Sequence, residues 1–168
     1  MFYDAGAMYD STTSAYDSVT VGGSLLHSPA DIVSRLLTAF GYGVDPSVPG
    51  EWPVNVAREP NTPDDAITVY DTQGRDDGRT MVDGERQEHH GFQVRVRSMT
   101  HPAGYAKARS IADALDQGVL FTQVDVDGTT YTVFAVTRTS DVIAIGKEAE
   151  LSKRSLFTIN AIAAIRRN

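Results

Sequence analysis

The fold is decided first by residues 120–135, which read LFTQVDVDGTTYTVFA. At their centre stands Asp127-Gly128, a dipeptide that favours the two-residue turn of a β-hairpin, because that turn needs positive φ at both of its residues. A turn here fixes the register of two strands, and a slip of one residue would exchange their faces. The predicted pairs are Val126–Thr129, Val124–Tyr131, Thr122–Val133 and Leu120–Ala135, which make one face mostly apolar.

Alternating side chains predict further strands on both sides of this hairpin. Residues 92–97 alternate, with Phe92, Val94 and Val96 on one face and Gln93, Arg95 and Arg97 on the other. Residues 156–165 are apolar on both faces, which is typical of a central strand or of one covered by a neighbour. Two shorter strands are predicted at residues 52–57 and 66–70, the second after the turn Asn61-Thr62-Pro63-Asp64.

Two helices are predicted by their start and stop signals. In Ser28-Pro29-Ala30-Asp31, serine caps, proline fits the first helical position and aspartate faces the positive end, while Gly41 or Gly43 ends the helix. The second helix begins at His101-Pro102, runs to Asp116 and stops at Gly118. The predicted apolar stripes are Ile32, Val33, Leu36, Leu37 and Phe40 in the first helix and Ala108, Ile111, Ala112 and Leu115 in the second.

The order of these elements is helix, three strands, helix, three strands. Runs of strands separated by single helices predict an α+β fold, with both helices packed on one face of a mainly antiparallel sheet. Residues 71–91 are polar and glycine-rich, and we expect a long hairpin-like loop there. We therefore expect one domain over residues 28–168, preceded by an N-terminal arm over residues 1–27.

The arm is rich in Tyr, Ser, Thr and Gly and contains no Lys or Arg. Such a segment buries little surface by itself. Two interpretations stay open: a disordered tail, or an arm that orders against a neighbouring subunit with Tyr3, Tyr9 and Tyr16 as amphipathic anchors.

Composition and charge exclude several classes of protein. The 168 residues include no cysteine, which excludes a disulfide scaffold, a thiol nucleophile and a cysteine-ligated zinc site. The net charge of −7 disfavours tight DNA binding, which needs a dense basic patch. Neither a signal peptide at the N-terminus nor an apolar run long enough for a membrane span is expected from this sequence.

The one cluster that suggests chemistry surrounds His89-His90, with Asp83 and Glu85 nearby. Adjacent residues of an extended chain point to opposite sides, so a solvated hairpin tip is favoured over a metal site. The sequence contains neither a glycine-rich phosphate loop after a strand nor a Gly-x-Ser-x-Gly elbow. We predict no catalytic residue, metal or cofactor. A metal-dependent enzyme or small-ligand protein that uses this loop is the alternative of a different class.

Six side chains other than the tyrosines are candidates for a subunit or partner interface. Arg75, Arg79 and Arg86 alternate with acidic residues, which favours pairing with a protein neighbour over nucleic acid. Arg95 and Arg97 lie on the polar face of their strand, where we expect them to be solvated, with a subunit seam as the alternative. The sixth candidate interface residue is Trp52.

Several of these segments together resemble the tail terminator (minor capsid) proteins of long-tailed bacteriophages. The resemblance lies in residues 63–72 (PDDAITVYDT), the charged loop after them, residues 91–97 (GFQVRVR), the helix around Tyr105, the Asp127-Gly128 hairpin and the closing strand at residues 157–160. It covers residues 28–165. The arm and residues 143–154 depart from the family pattern.

The resemblance implies a structural protein of the virion and not an enzyme. It implies a ring, usually hexameric, that caps the tail tube, stops its growth and joins the tail to the head–neck complex. The implied partners are further copies of the chain, the tail tube protein and a head-completion or neck protein, while genomic DNA passes through the lumen without specific binding. The protein would be made in the host cytoplasm, contact no membrane and lie at the head-proximal end of the tail. A head-completion or head–tail adaptor protein is the nearest alternative.

Overall fold

A computed structural model describes residues 24–79, 86–147 and 153–168, and the side chains of all of these except residues 76–79 and 86–88. Most of the predicted arm, with all three of its tyrosines, lies in residues 1–23, outside the described residues. Residues 80–85 of the predicted hairpin-like loop also lie outside them. The described elements are α1 (Pro29–Ala39), β1 (Val54–Val56), β2 (Ala66–Arg79), β3 (Arg86–Ser98), α2 (His101–Gln117), β4 (Leu120–Val126), β5 (Thr129–Arg138), β6 (Ile143–Lys147) and β7 (Ser155–Arg167).

The seven described strands form one curled sheet in the order β1-β2-β3-β7-β5-β4, with β6 paired to β7. Only the β1–β2 pair is parallel. Strand β7 is central, because β3 runs along one side of it while β6 and then β5 run along the other. Helix α1 contacts β1, β2, β3 and β4, and α2 contacts β3, β5 and β7. The predicted α+β fold, with a mainly antiparallel sheet and two helices, is confirmed.

Helix α1 begins as its sequence predicts. The Ser28 hydroxyl oxygen accepts a hydrogen bond from the Asp31 amide at 3.1 Å, and the Asp31 carboxylate accepts one from the Ser28 amide at 3.2 Å. This reciprocal pair is a capping box, which satisfies backbone donors that the first turn of a helix leaves open. Gly41 follows the helix with φ +76°, a backbone conformation that glycine adopts without a steric penalty. Ile32, Val33, Leu36 and Leu37 are fully buried.

Helix α2 lies close to β7 because Gly104 has no side chain. A β-carbon on Gly104 would stand 2.6 Å from Cε2 of Phe157 and 2.9 Å from Cβ of Ser98. The predicted stripe of α2 is fully buried, and Gly118 caps the helix as predicted. Small residues on this helix therefore set the distance between α2 and the sheet.

The hairpin of β4 and β5 has the register that Asp127-Gly128 predicts, including all four predicted pairs. Asp127 and Gly128 have φ +49° and +82°, as the turn requires. The predicted apolar face of this hairpin does not continue to the end that is far from the turn, and this prediction is wrong. The pairing of β5 with β7 shifts between Val133 and Ala135, so Phe134 is an extra residue and Leu120 is 68% exposed instead of continuing the apolar face.

Two other expectations need correction. Residues 71–91 are not a loop for most of their length, because β2 continues to Arg79 and β3 begins at Arg86. Among the described residues, four strands instead of three follow α2, since β6 was not predicted. All five residues of β6 are exposed, so buried and exposed side chains do not alternate along it. That alternation is the usual sequence signal of a half-buried strand.

Replacing Gly104 with alanine tests the close packing of α2. Alanine normally stabilises a helix interior by ~1 kcal/mol relative to glycine. At Gly104 we expect the reverse, a loss of about 1–2 kcal/mol in the free energy of unfolding, because overpacking against the buried Phe157 ring costs ~1–3 kcal/mol. Urea denaturation measures the change. The control is Ala106→Gly at an exposed position of the same helix, where alanine should be the preferred residue. A stabilised Gly104→Ala variant would contradict this account of the packing.

Candidate subunit interface

The outer part of the β2–β3 hairpin is a two-stranded ribbon that extends beyond the sheet. Strand β7 pairs with β3 only as far as His89, which lies opposite Ala164. Beyond that point the register continues between β2 and β3 alone, through Asp76–Glu88 to Arg79–Arg86. The four steps from Arg75 to Arg79 span roughly 13 Å at about 3.3 Å per residue. We call the described residues of this part, 76–79 and 86–88, the ribbon.

The base of the ribbon contains a bulge where two glycines allow the strands to approach each other. The pairing shifts between Thr72 and Arg75. A β-carbon on Gly74 would stand 2.3 Å from the His89 carbonyl oxygen, and one on Gly91 would stand 2.2 Å from the Gln73 carbonyl oxygen. A bulge bends a strand and increases its twist, so this one aims the ribbon relative to the sheet.

Three of the predicted interface residues belong to this region. Arg75 is exposed at the base of the ribbon. Arg79 and Arg86 are partners in the β2–β3 register, so the backbone places these two residues at one cross-strand position.

Arg97 is not solvated, contrary to the prediction. Its side chain is 1% exposed, and it donates hydrogen bonds to the carbonyl oxygens of Pro63 at 2.6 Å and Asp64 at 3.2 Å. Its Nη1 lies 3.9 Å from Oε1 of Glu59, close enough for charge attraction but too far for a hydrogen bond. Nε and Nη2 of Arg97 are thus hydrogen-bonded within the chain. The alternation of β3 predicts which face Arg97 is on but cannot predict that the 59–64 segment covers it.

Arg95 lies on the same face and remains partly accessible, with 31% of its side chain exposed. Its Nη1 donates to Oε2 of Glu59 at 3.3 Å, and its guanidinium stands over the Tyr70 ring at 5.1 Å from the centroid. Burial, with a smaller contribution from Glu59, raises the pKa of Tyr70 above its ordinary value. Arg95 and Arg97 therefore share one carboxylate, and only Arg95 presents a surface.

Trp52 belongs to a separate group beside α2. It is half-buried with φ +61°, and the Lys107 ammonium stands 5.3 Å from the centre of its ring and 6.0 Å from that of Tyr42. Burial lowers the pKa of Lys107, and Glu51 opposes that shift. A cation over aromatic faces holds these rings in place. The Trp52 ring contacts α2 through Lys107, whereas Arg95 and Arg97 both lie beside Glu59.

Sequence reasoning did not single out the exposed apolar residues of β4 and β6. Leu120 and Phe121 are 68% and 65% exposed, and Ile143 and Ile145 are 46% and 52% exposed. Phe121 meets Phe134 edge to face at 5.5 Å, and the Arg166 guanidinium stands 5.1 Å over Phe134. The apolar Phe121 and Phe134 at the end of an otherwise polar hairpin face were the available signal. Exposed apolar groups of this size are common at protein interfaces.

The histidine pair shows no metal-binding arrangement in the part of the chain that the structure describes. His89 and His90 lie in the extended strand β3, opposite Ala164 and Ala163. Among the described residues, no three His, Cys, Asp or Glu side chains are grouped as metal ligands. Asp83 and Glu85, the other members of the predicted cluster, lie outside those residues.

Comparison with known proteins identifies the family. A family model described as "Bacteriophage tail terminator protein" matches residues 36–147, more than half of the chain. The chain belongs to the bacteriophage tail terminator family. It is therefore a structural protein of a phage tail. The match begins within α1 and ends with β6, so it includes the whole β2–β3 hairpin, while β7 and the N-terminal arm lie outside it.

Two solved structures are similar at low identity. A chain from the virion of a native gene transfer agent particle is 13% identical, covers 67% of this chain and 78% of its own, and has a TM-score of 0.43. A second structure is 17% identical, covers 70% and 79% of the two chains, and has a TM-score of 0.40. No curated protein sequence matches the chain significantly. Neither of the two described helices is long and apolar enough to cross a membrane.

The different surroundings of Arg95 and Arg97 predict different effects of the same substitution. We expect Arg97→Met to lower the free energy of unfolding by about 3–5 kcal/mol, because it removes two hydrogen bonds from a charged donor to the carbonyl oxygens of Pro63 and Asp64, each worth about 1.5–3 kcal/mol. Arg95→Met, the matched control, should lower it by less than about 1 kcal/mol, since its ion pair is partly solvated. Urea denaturation of both variants measures this, and equal losses would contradict the assignment.

Proposed function

We propose that the chain assembles head to tail into a closed ring, hexameric by family resemblance, that caps the tail tube, stops its growth and joins the tail to the head–neck complex. Family membership supports the location in the tail, and the ribbon is the observation that carries the proposal of assembly. A head-to-tail interface closes into a ring when its rotation angle divides the circle, and it needs two different complementary surfaces on each subunit.

The ribbon is proposed as one of these surfaces. A two-stranded hairpin is marginally stable alone in water, and beyond His89 no third described strand supports this one. A neighbouring subunit that covers the ribbon would supply the missing support. Arg75, Arg79 and Arg86 would then pair with carboxylates of that neighbour, and such charge complementarity fixes the register and rejects wrong partners.

Other candidate residues take different places in the proposal. Trp52 and Arg95 are proposed at subunit contacts because both retain accessible surface. Arg97 is not retained, because its side chain is 1% exposed and its Nε and Nη2 are hydrogen-bonded within the chain. Tyr3, Tyr9 and Tyr16 are proposed as anchors of an N-terminal arm, residues 1–27, on a neighbouring subunit, with residues 28–168 as the folded domain.

The remaining proposed partners are the tail tube protein on one side of the ring and a head-completion or neck protein on the other. The net charge of −7 per chain makes a ring that repels phosphates, so DNA would pass through the lumen without specific binding. The proposed role is purely structural, at the head-proximal end of the virion tail after synthesis in the host cytoplasm, and it requires neither catalysis nor a cofactor.

Shortening the hairpin tests the role of the ribbon. Residues 76–88 are replaced by Asn-Gly, so that a two-residue turn joins Arg75 and His89, which are already partners in the register. We expect a folded monomer, because the β3–β7 pairing is untouched. We expect no rings, because the proposed contact surface is missing. Light scattering and negative-stain microscopy report assembly, and circular dichroism reports folding. Asp127→Asn, which keeps a primed turn in the other hairpin, is the control. Rings formed by the shortened protein would refute the proposal for the ribbon.

Electron microscopy of lysates from a phage without this gene tests the function itself. We expect overlong headless tubes beside DNA-filled heads, because nothing stops tube growth. Tails of normal length that fail to join heads would replace the terminator by the head–tail adaptor alternative. Intact, infectious virions would contradict a structural role in the tail.

A further inference from the structure

A polar groove of about 600 Å³ lies between β1 and the β4–β5 turn, beside α1. One side is formed by residues of β1 and the segment after it, and the opposite side by Val126 and Asp127. The sheet is curled, so that α1 contacts both β1 and β4, and the groove lies between these two edge strands. The side chains used below are Val54, Val56 and Arg58 on the β1 side and His27, Arg35 and Asp127 on the other.

The edge of β1 that faces away from β2 is only partly hydrogen-bonded. Pro53 and Ala57 bond to β2, so the alternation of a parallel pair directs Val54 and Val56 away from it. The Val54 amide donates to the Val44 carbonyl oxygen, and the Val56 carbonyl oxygen accepts from the Arg58 amide. This leaves the Val54 carbonyl and the Val56 amide, to which no described residue donates or accepts. Such groups can bind an added antiparallel strand through two of its residues that are spaced two apart.

The groove also has a cation for which the described part of the chain supplies no partner. Arg35 is engaged, because its Nη1 lies 2.6 Å from Oδ2 of Asp45 and its Nη2 lies 3.6 Å from Oδ1 of Asp127. Arg58 is exposed, and its guanidinium makes no hydrogen bond or ion pair with any described residue. An occupant of the groove is therefore expected to bring a carboxylate to Arg58.

The chain itself enters the described structure at this groove. Leu25 packs against the core, and His27 lines the groove with Nδ1 2.7 Å from the Tyr131 hydroxyl oxygen. Residues 1–23 precede this point and contain three aspartates and no Lys or Arg. Within them, Val19 and Val21 alternate as in a strand, Asp17 comes just before, and Gly22-Gly23 permits a sharp turn. Val19 is five residues from Ser24, a reach of about 17 Å.

We propose that residues 17–21 of the same chain bind in this groove as an added strand against β1, bonded to the Val54 carbonyl and the Val56 amide, with Asp17 facing Arg58. The groove is then a strand-binding site for the base of the N-terminal arm. Residues 1–16, with all three tyrosines, are left to reach a neighbouring subunit. The proposed strand is intrachain and does not depend on ring formation.

Cysteine pairs test this directly, because the natural chain contains no cysteine and every disulfide must come from the introduced pair. Val56→Cys is combined in turn with a cysteine at each position from Ser18 to Val21 in the full-length protein. After mild oxidation, we expect an intrachain disulfide at alternate arm positions only, since successive strand residues face opposite sides. Peptide mass spectrometry identifies the link. The control pairs each arm cysteine with Leu120→Cys, which is exposed and outside the groove.

Each outcome decides the proposal. Links at alternate positions to residue 56, absent with residue 120, support it. Links between two chains would show that a neighbour's arm takes the groove and would overturn the intrachain proposal. Equal links at all positions, or none, would overturn it as well. The same measurement on the hairpin-shortened protein separates this inference from ring assembly.

Hydrogen exchange of the Val56 amide gives a second readout without disulfides. The amide should exchange at least about tenfold faster in the Val19→Pro, Val21→Pro double variant, since proline breaks strand pairing. Thr12→Pro, the control, should leave exchange unchanged. Unchanged exchange in the double variant would overturn the proposal.

Discussion

The structure depends on the central position of β7. This strand is hydrogen-bonded to β3 along one side and to β6 and β5 along the other, and its core face includes the fully buried Phe157 and Ile159. It therefore joins the β2–β3 hairpin to the β4–β5 hairpin, which have no other connection through the sheet. Because β7 follows all the other described strands in the sequence, much of the sheet pairing joins residues that are distant in sequence.

Because β7 ends its pairing with β3 at His89, it also sets where the sheet stops and the ribbon begins. The bulge with Gly74 and Gly91 lies close to that boundary, so the direction of the ribbon is determined by the rigid part of the sheet. A protruding element held at its base by a central strand suits a subunit that must meet a neighbour at a fixed angle. The edge strand β1, at the other end of the sheet, would offer a second kind of contact in the proposed binding of the arm, through backbone groups as well as the charge of Arg58.

The candidate interface shows that a sequence pattern predicts the face on which a residue lies but not its exposure. Alternation places Arg95 and Arg97 on the same face of β3, and both lie there. The exposure of the two side chains differs because the 59–64 segment, distant in sequence, covers Arg97 and only borders Arg95. The exposed Leu120 and Phe121 were missed for a related reason: the bulge at Phe134 arises where β5 meets β7, a pairing that neither strand encodes alone.

The sequence by itself determined the elements whose signals are local. Asp127-Gly128 set a hairpin register, Ser28 and Asp31 set a helix start, and periodic apolar residues set the buried faces of both helices, because a turn, a cap and a stripe involve residues within a few positions. Only the tertiary structure decided that polar residues 71–79 and 86–91 continue two strands, that β6 exists and that Arg97 is buried. In each of these cases the deciding partner is distant in sequence, and its contacts outweigh weak local preference.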